Sequence, residues 1–248
     1  MSSKPLQLEK VSRSFGPVEV LREISLTIAR GEFVAVVGPS GCGKTTLLNL
    51  MSGFDQPSSG LIARDGEVRM VYQQDGLFPW LTAAENIALG LRHLKERQEQ
   101  ARQVNELLRL IRLEGFEHHY PHQLSGGMRQ RVELARALAG DSDILLLDEP
   151  FSSLDYLTRL RLRQELARLL DERPRTVALV THDIEEAAQL ADRVIVLSER
   201  PAQIRYELSI AVERPRDLTH PEVVGAIHRI LTEIGIEHDQ ELCSETHI

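Results

Sequence analysis

The chain opens with apolar positions at strand spacing. Residues 6–11, 21–28 and 33–37 read as β-strands, with a polar turn around Gly16-Pro17. Residues 46–50 continue as a helix, and Gln56-Pro57-Ser58-Ser59-Gly60 is a loop. Asp65-Gly66 stands between two short apolar runs, the second at 68–72, and predicts a hairpin turn. From about Thr82 to Gly140 the apolar spacing becomes helical, and the polar stretch 93–102 within it reads as a solvated helix face. Residues 144–147 are continuously apolar, as in a strand buried on both faces. A helix over 156–171, a strand over 176–180, a helix over 184–190 and a strand over 193–197 follow. From about Pro201 the pattern predicts a strand pair and then an amphipathic helix over 221–234. Alternating strand and helix of this kind implies an α/β sheet.

At 248 residues the chain suits one large domain with a helical insert. A formal net charge of −8 argues against a protein that binds nucleic acid by neutralising phosphates, and no nucleic acid is expected as a partner. No apolar run is long enough to cross a bilayer, and the polar N-terminus lacks a signal-peptide core. A cytosolic protein that meets the membrane through partners is therefore expected. Cys42 and Cys243 lie far apart and have no metal-ligand spacing. Cys42 reads as a small residue at a helix start, where the dipole lowers a thiol pKa.

Chemistry concentrates after the apolar run Phe33–Val37, in Gly38-Pro39-Ser40-Gly41-Cys42-Gly43-Lys44-Thr45-Thr46. A G-x-x-x-x-G-K-T run between a strand and a helix is a loop that wraps nucleotide phosphates. Glycines let backbone N–H groups turn towards an anion, and the following helix adds its dipole. Lys44 can neutralise the β- and γ-phosphates, and the Thr45 hydroxyl can take one position on Mg²⁺. A surface turn with a stray lysine does not explain an ordered run of this length.

A second constellation lies further along. Asp148-Glu149 ends the apolar strand 144–147, where Asp148 can hold Mg²⁺ and Glu149 can polarise the water that attacks a γ-phosphate. A helix N-terminal acidic pair would be the ordinary explanation, but two further segments oppose it. Leu124-Ser125-Gly126-Gly127 opens another helix and can offer Ser125 and the N–H groups of Gly126 and Gly127 to a second nucleotide. Val180-Thr181-His182-Asp183 ends a strand, where His182 can hydrogen-bond a γ-phosphate.

In that order, with Gln73 after the strand 68–72 and Ser152-Ser153-Leu154-Asp155 after the carboxylates, these residues resemble the ATP-binding subunit of ABC transporters over nearly the whole chain. The resemblance implies a P-loop NTPase core with an antiparallel β subdomain and a helical subdomain. The expected division is a catalytic core over 1–81 and 141–200, a helical subdomain over about 82–140 and a C-terminal extension over about 201–248. It also implies that Gln73 senses Mg²⁺ and the membrane partner, that Asp155 links two nucleotide sites, and that Phe15 stacks on adenine. The alternative for Phe15, in a β-rich segment, is a core position. Two departures stand out: Ser153 occupies a position where the family commonly has Ala, and the stretch from Asp65 to Gln73 is short, which implies a trimmed antiparallel subdomain.

The segment Leu77-Phe78-Pro79-Trp80-Leu81-Thr82-Ala83-Ala84-Glu85-Asn86-Ile87 is similar to that of importer ATPases serving nitrate, sulfonate and taurine, and Arg214-Pro215-Arg216-Asp217-Leu218 points the same way. An exposed Phe78-Pro79-Trp80 patch would mark a partner surface; the alternative is a Trp80 packed internally. The resemblance implies a homodimer closing head-to-tail around two ATP molecules, with permease subunits and a solute-binding protein as partners. It implies a peripheral position on the cytoplasmic face of a cell membrane, a bacterial inner membrane. A DNA-repair ATPase would need a heptad-rich insert between residues 46 and 124, and none is present. A translation-associated protein of the family would carry two cassettes, and a regulator would not need Lys44, Asp148, Glu149 and His182 intact. An exporter ATPase stays open.

Overall fold

In the computed structural model, which describes residues 5–72, 76–172 and 174–235, the apolar runs assemble into two sheets. Strands β1 (Leu6–Phe15), β2 (Val18–Ile28) and β4 (Ser59–Arg64) form an antiparallel three-stranded sheet in the order β2-β1-β4. Strands β3 (Phe33–Val37), β5 (Val68–Val71), β6 (Ile144–Asp148), β7 (Thr176–Val180), β8 (Arg193–Leu197) and β9 (Ile204–Ser209) form the second sheet, in the order β5-β6-β7-β3-β8-β9. Pairing there is parallel from β5 to β8, and β9 returns antiparallel to β8.

The continuously apolar strands are buried because helices and the small sheet cover both faces. Phe33, Ala35 and Val37 point into one core, with Leu145 and Leu147, while Val34 and Val36 point into the other, with Ile144 and Leu146. This period of two assigns every residue of β3 to a core, each full burial of such a side chain contributing about 1.5–3 kcal/mol. The first core is shared with the helices α2 (Ala83–Ala88), α3 (Arg97–Leu110), α4 (Gly126–Ala139), α5 (Tyr156–Glu172), α6 (Ile184–Leu190) and α7 (Pro221–Ile234). The second holds α1 (Lys44–Ser52) beneath the three-stranded sheet.

Three expectations change. Asp65-Gly66 is no hairpin turn: β4 and β5 on either side of it belong to different sheets. The glycine is needed for a close approach instead. At φ +121°, a Cβ on Gly66 would lie 2.5 Å from a carboxylate oxygen of Asp143, which accepts the Glu67 N–H at 3.0 Å. Among the described residues the C-terminal part contributes one strand, β9, which pairs with β8 rather than with a second strand of its own. The stretch 93–102 is helical only from Arg97, where α3 begins. No helix among the described residues is long and apolar enough to cross a membrane.

Candidate functional site

Strands β6, β7 and β3 are neighbours and parallel, so their C-terminal ends open at one edge of the sheet. Ligands of open α/β sheets bind at that edge. From the end of β3 the chain enters the loop 38–43. Its glycines have separate reasons. A Cβ on Gly38 would meet the Leu197 carbonyl at 2.9 Å, and one on Gly43 (φ +125°) would meet Val20 Cγ1 at 2.8 Å. The loop is thus pressed between β8 and β2. Gly43 caps α1 with no side-chain hydrogen bond, and no acidic residue stands in the first turn, so the helix start presents its N–H groups and positive dipole end to an anion. Lys44, almost fully buried, donates to the carbonyls of Gly38 at 2.8 Å and Pro39 at 2.9 Å. Cys42 is also buried, and burial pushes its thiol pKa up against the opposing charge of Lys44. The dipole-lowered thiol expected from position alone is overturned by desolvation.

Asp148 ends β6 and is buried, with one carboxylate oxygen accepting from the Thr45 hydroxyl at 3.3 Å. Burial pushes its carboxyl above the ordinary range; Glu149 adds to this, and Thr45 and Lys44 oppose it. A buried carboxylate beside a hydroxyl, short of compensating charge, suits a hard divalent cation. Glu149 follows in the left-handed region, φ +47°, rare for a non-glycine. Its N–H donates to Val180 O at 2.9 Å, and its carbonyl accepts from the Ser152 N–H at 3.2 Å and the Ser152 hydroxyl at 3.0 Å. The turn brings its side chain to His182, whose Nδ1 lies 3.2 Å from Glu149 Oε1. His182 itself is 63% exposed, but both its neighbours are tied down. The Thr181 hydroxyl donates to Glu186 at 2.7 Å, and Asp183 caps α6 and pairs with Arg159 at 3.2 Å and with Arg163.

Ser125 caps α4 by accepting the Met128 N–H at 3.3 Å. A Cβ on Gly127 would lie 3.0 Å from Leu154 Cδ2 and 3.2 Å from the Ser153 carbonyl, so this glycine packs on the loop 152–155. Asp155 accepts from the Thr158 backbone N–H at 3.0 Å, and the Thr158 side chain and backbone hold its carboxyl below the usual range. Phe15, at the tip of the β1–β2 hairpin, is 48% exposed, with Arg13 4.3 Å from its ring centroid. Gln73 lies outside the described residues.

A family profile described as ABC transporter matches residues 21–152, more than half of the chain. An aliphatic sulfonates import ATP-binding protein of Rhodococcus jostii is 46% identical over 217 residues, 85% of each chain. A nitrate import ATP-binding protein of Synechococcus elongatus is 42% identical over 229 residues, 86% of this chain and 83% of its own. A solved dimeric structure, the post-hydrolysis state of an ATP-binding cassette bound to ADP and Pi, has a TM-score of 0.74 at 34% identity, covering 86% of this chain and 99% of that one. The chain belongs to the ABC transporter family. It is an ATP-hydrolysing cassette with the P-loop NTPase fold.

Several residues of this ABC cassette escape a motif search because their partners are remote in sequence. Gln130 of α4 reaches the loop after β6, and Arg159 joins Asp183 to the Leu154 carbonyl at 3.0 Å. Arg216 is buried and donates to the carbonyls of Ile210, Val212, Ala188 and Ala191, the last two at the end of α6. Arg214-Pro215-Arg216 thus fastens the C-terminal extension to the helix that follows His182. Trp80 is 68% exposed and lies against Phe78, ring centroids 5.4 Å apart, so among the described residues it is a surface side chain and not an internally packed one. Buried Asn86 pins this loop through the Phe78 N–H at 2.9 Å and the carbonyls of Phe78, Leu81 and Thr82.

Proposed function

We propose that this cassette powers import of a small solute, a sulfonate or taurine first and nitrate next. It would work as a homodimer beneath a pair of permease subunits, with a solute-binding protein outside, on the cytoplasmic face of a bacterial inner membrane. The division into a catalytic core, a helical subdomain over about 82–140 and an extension from about 201 belongs to the same reading. In each site one chain supplies the loop Gly38 to Thr46 for the phosphates, Phe15 for the adenine, and Glu149, His182 and Gln73 around the γ-phosphate. The other supplies Ser125, Gly126 and Gly127, and Asp155 links the two sites. Thr45 and Asp148, with Gln73, would hold Mg²⁺, which when bound neutralises charge on the β- and γ-phosphates.

The observation that carries the reading is the convergence at one sheet edge. Thr45 meets Asp148 at 3.3 Å, and Glu149 meets His182 at 3.2 Å. A carboxylate placed there takes a proton from the attacking water, while the neutral amide of a glutamine could not. The exposed Phe78-Trp80 pair is the docking point for a permease helix. The test is co-expression with the permease pair and binding protein, followed by uptake of labelled sulfonate, taurine and nitrate. ATP-dependent uptake of one of them is expected. Uptake of none, from a complex that hydrolyses ATP and assembles, would rule out the solute class.

A further inference from the structure

Gln130 lies in α4 five residues beyond Ser125, between the first and second turns of the helix, and its amide is buried and engaged at both ends. Its Nε2 donates to the Glu149 carbonyl at 3.0 Å and to Ser152 Oγ at 3.4 Å. Its Oε1 accepts from the Ser153 N–H at 3.2 Å and the Ser153 hydroxyl at 2.5 Å. Donor end to a carbonyl and acceptor end to an N–H leave one sensible orientation for the amide. A buried group satisfied in this way holds its partners in one arrangement.

What it holds is a strained peptide. Glu149 sits at φ +47°, a conformation that costs an ordinary residue roughly 1–3 kcal/mol and persists only where its surroundings enforce it. The Ser152 bonds to its carbonyl are local to the same turn, whereas Gln130 reaches it from another helix. We infer that Gln130 is a positioning residue: it locks the backbone of Glu149 so that the carboxylate of the same chain stays beside His182. Ser153 gains a reason here too, because its hydroxyl gives Gln130 a bond that alanine could not. The inference rests on the reading of Glu149 as the base. It differs from a role of Gln130 in the partner's site, because Ser125 and Gly127 are already fixed by their own cap and by packing on Leu154.

Mixed dimers with one hydrolytic site separate these roles. In the first, a Gln130→Met chain with intact Glu149 is paired with a Glu149→Gln partner. In the second, an unaltered chain is paired with a partner carrying both Gln130→Met and Glu149→Gln. Misplacing a reacting group by about 1 Å can cost about a hundredfold. The first dimer is therefore expected to lose about ten- to a hundredfold in kcat, with the half-saturating ATP concentration within about twofold of the unaltered/Glu149→Gln reference. The second is expected to match that reference within about threefold. Equal losses in both, a loss in the second alone, or no loss in the first would overturn the inference. Should Gln130→Met fail to fold, Ser153→Ala in the first arrangement serves, with a several-fold fall in kcat at unchanged half-saturation expected and no change contradicting it. A Glu149→Gln homodimer run alongside must be inactive. If it turns over ATP at the unaltered rate, the reading of Glu149 has failed, and the role of Gln130 falls with it.

Discussion

Phe15→Ala separates a nucleotide-binding aromatic from a packing one. The ring is half exposed at the tip of the β1–β2 hairpin, and Arg13 covers one of its faces from 4.3 Å. Arg13 is itself held by Asp55 at 2.9 Å, so it stays where it is and leaves one face for one base. Stacking of a base on an aromatic contributes about 1–3 kcal/mol. The middle of that range, about 2 kcal/mol, corresponds to about thirtyfold in affinity. The cost to the fold is smaller. Half the burial of a Phe side chain plus an exposed cation–π contact comes to about 1–2 kcal/mol, a fall in Tm of about 2–8 °C for a domain of this size. Calorimetric titration of ADP into the monomer and a thermal melt on the same variant measure both. Phe15→Trp should bind nucleotide as the unaltered protein does. ADP affinity within twofold of normal, together with a Tm fall beyond about 10 °C, would make Phe15 a packing residue and refute the stacking role.

Trp80→Ala should leave the Tm and ATP binding unchanged while permease co-purification drops; an interface anchor of about 2 kcal/mol is about thirtyfold in affinity, and a variant that melts early but assembles normally would remove Trp80 from the docking surface. Arg216→Met should unfold the C-terminal extension first. Leaving several buried carbonyls without their donor costs about 3 kcal/mol or more, seen as a fall in Tm of about 6–12 °C, and a shift under 2 °C would contradict this. Glu186 gives the stability a pH dependence. Burial pushes its carboxyl from 4.5 up to about 7 against the opposing pull of Arg163. Between those values the folded state holds a proton that the unfolded chain releases. Its contribution is therefore fully present below about 4.5 and lost as pH rises through about 7. Glu186→Gln should flatten that part of the stability–pH curve in chemical denaturation, and an unchanged slope would show that Glu186 does not carry it.

The parts of this site that can be read from sequence are those whose chemistry is local. The phosphate loop, Asp148-Glu149, Ser125–Gly127 and His182 each sit at a strand end or helix start, where composition and position carry the meaning. Strands β3, β6 and β7 are legible for the same reason, since burial on both faces makes each a continuous apolar run. What is not legible depends on distance along the chain. Asp65-Gly66 has the composition of a hairpin, but Asp143, far away in sequence, requires the glycine. The helix dipole suggests an acidic Cys42, but desolvation wins even with Lys44 opposing it, and only the packing shows how deep the thiol lies. Gln130, Arg163 and Arg216 are polar residues at unremarkable helix or loop positions whose partners come from other elements. No spacing rule finds such pairs, because nothing in the local period depends on them.

The claim at the centre is that Glu149 activates water in a site completed by Ser125–Gly127 of a second copy. It is tested most directly by light scattering of purified Glu149→Gln, with and without Mg²⁺-ATP, with released phosphate measured on the same samples. A dimer is expected only with ATP, reverting to monomer when nucleotide is removed, with phosphate release slowed by orders of magnitude because the amide cannot accept the proton. A protein that stays monomeric in saturating Mg²⁺-ATP, or one that hydrolyses ATP at the unaltered rate, would contradict it.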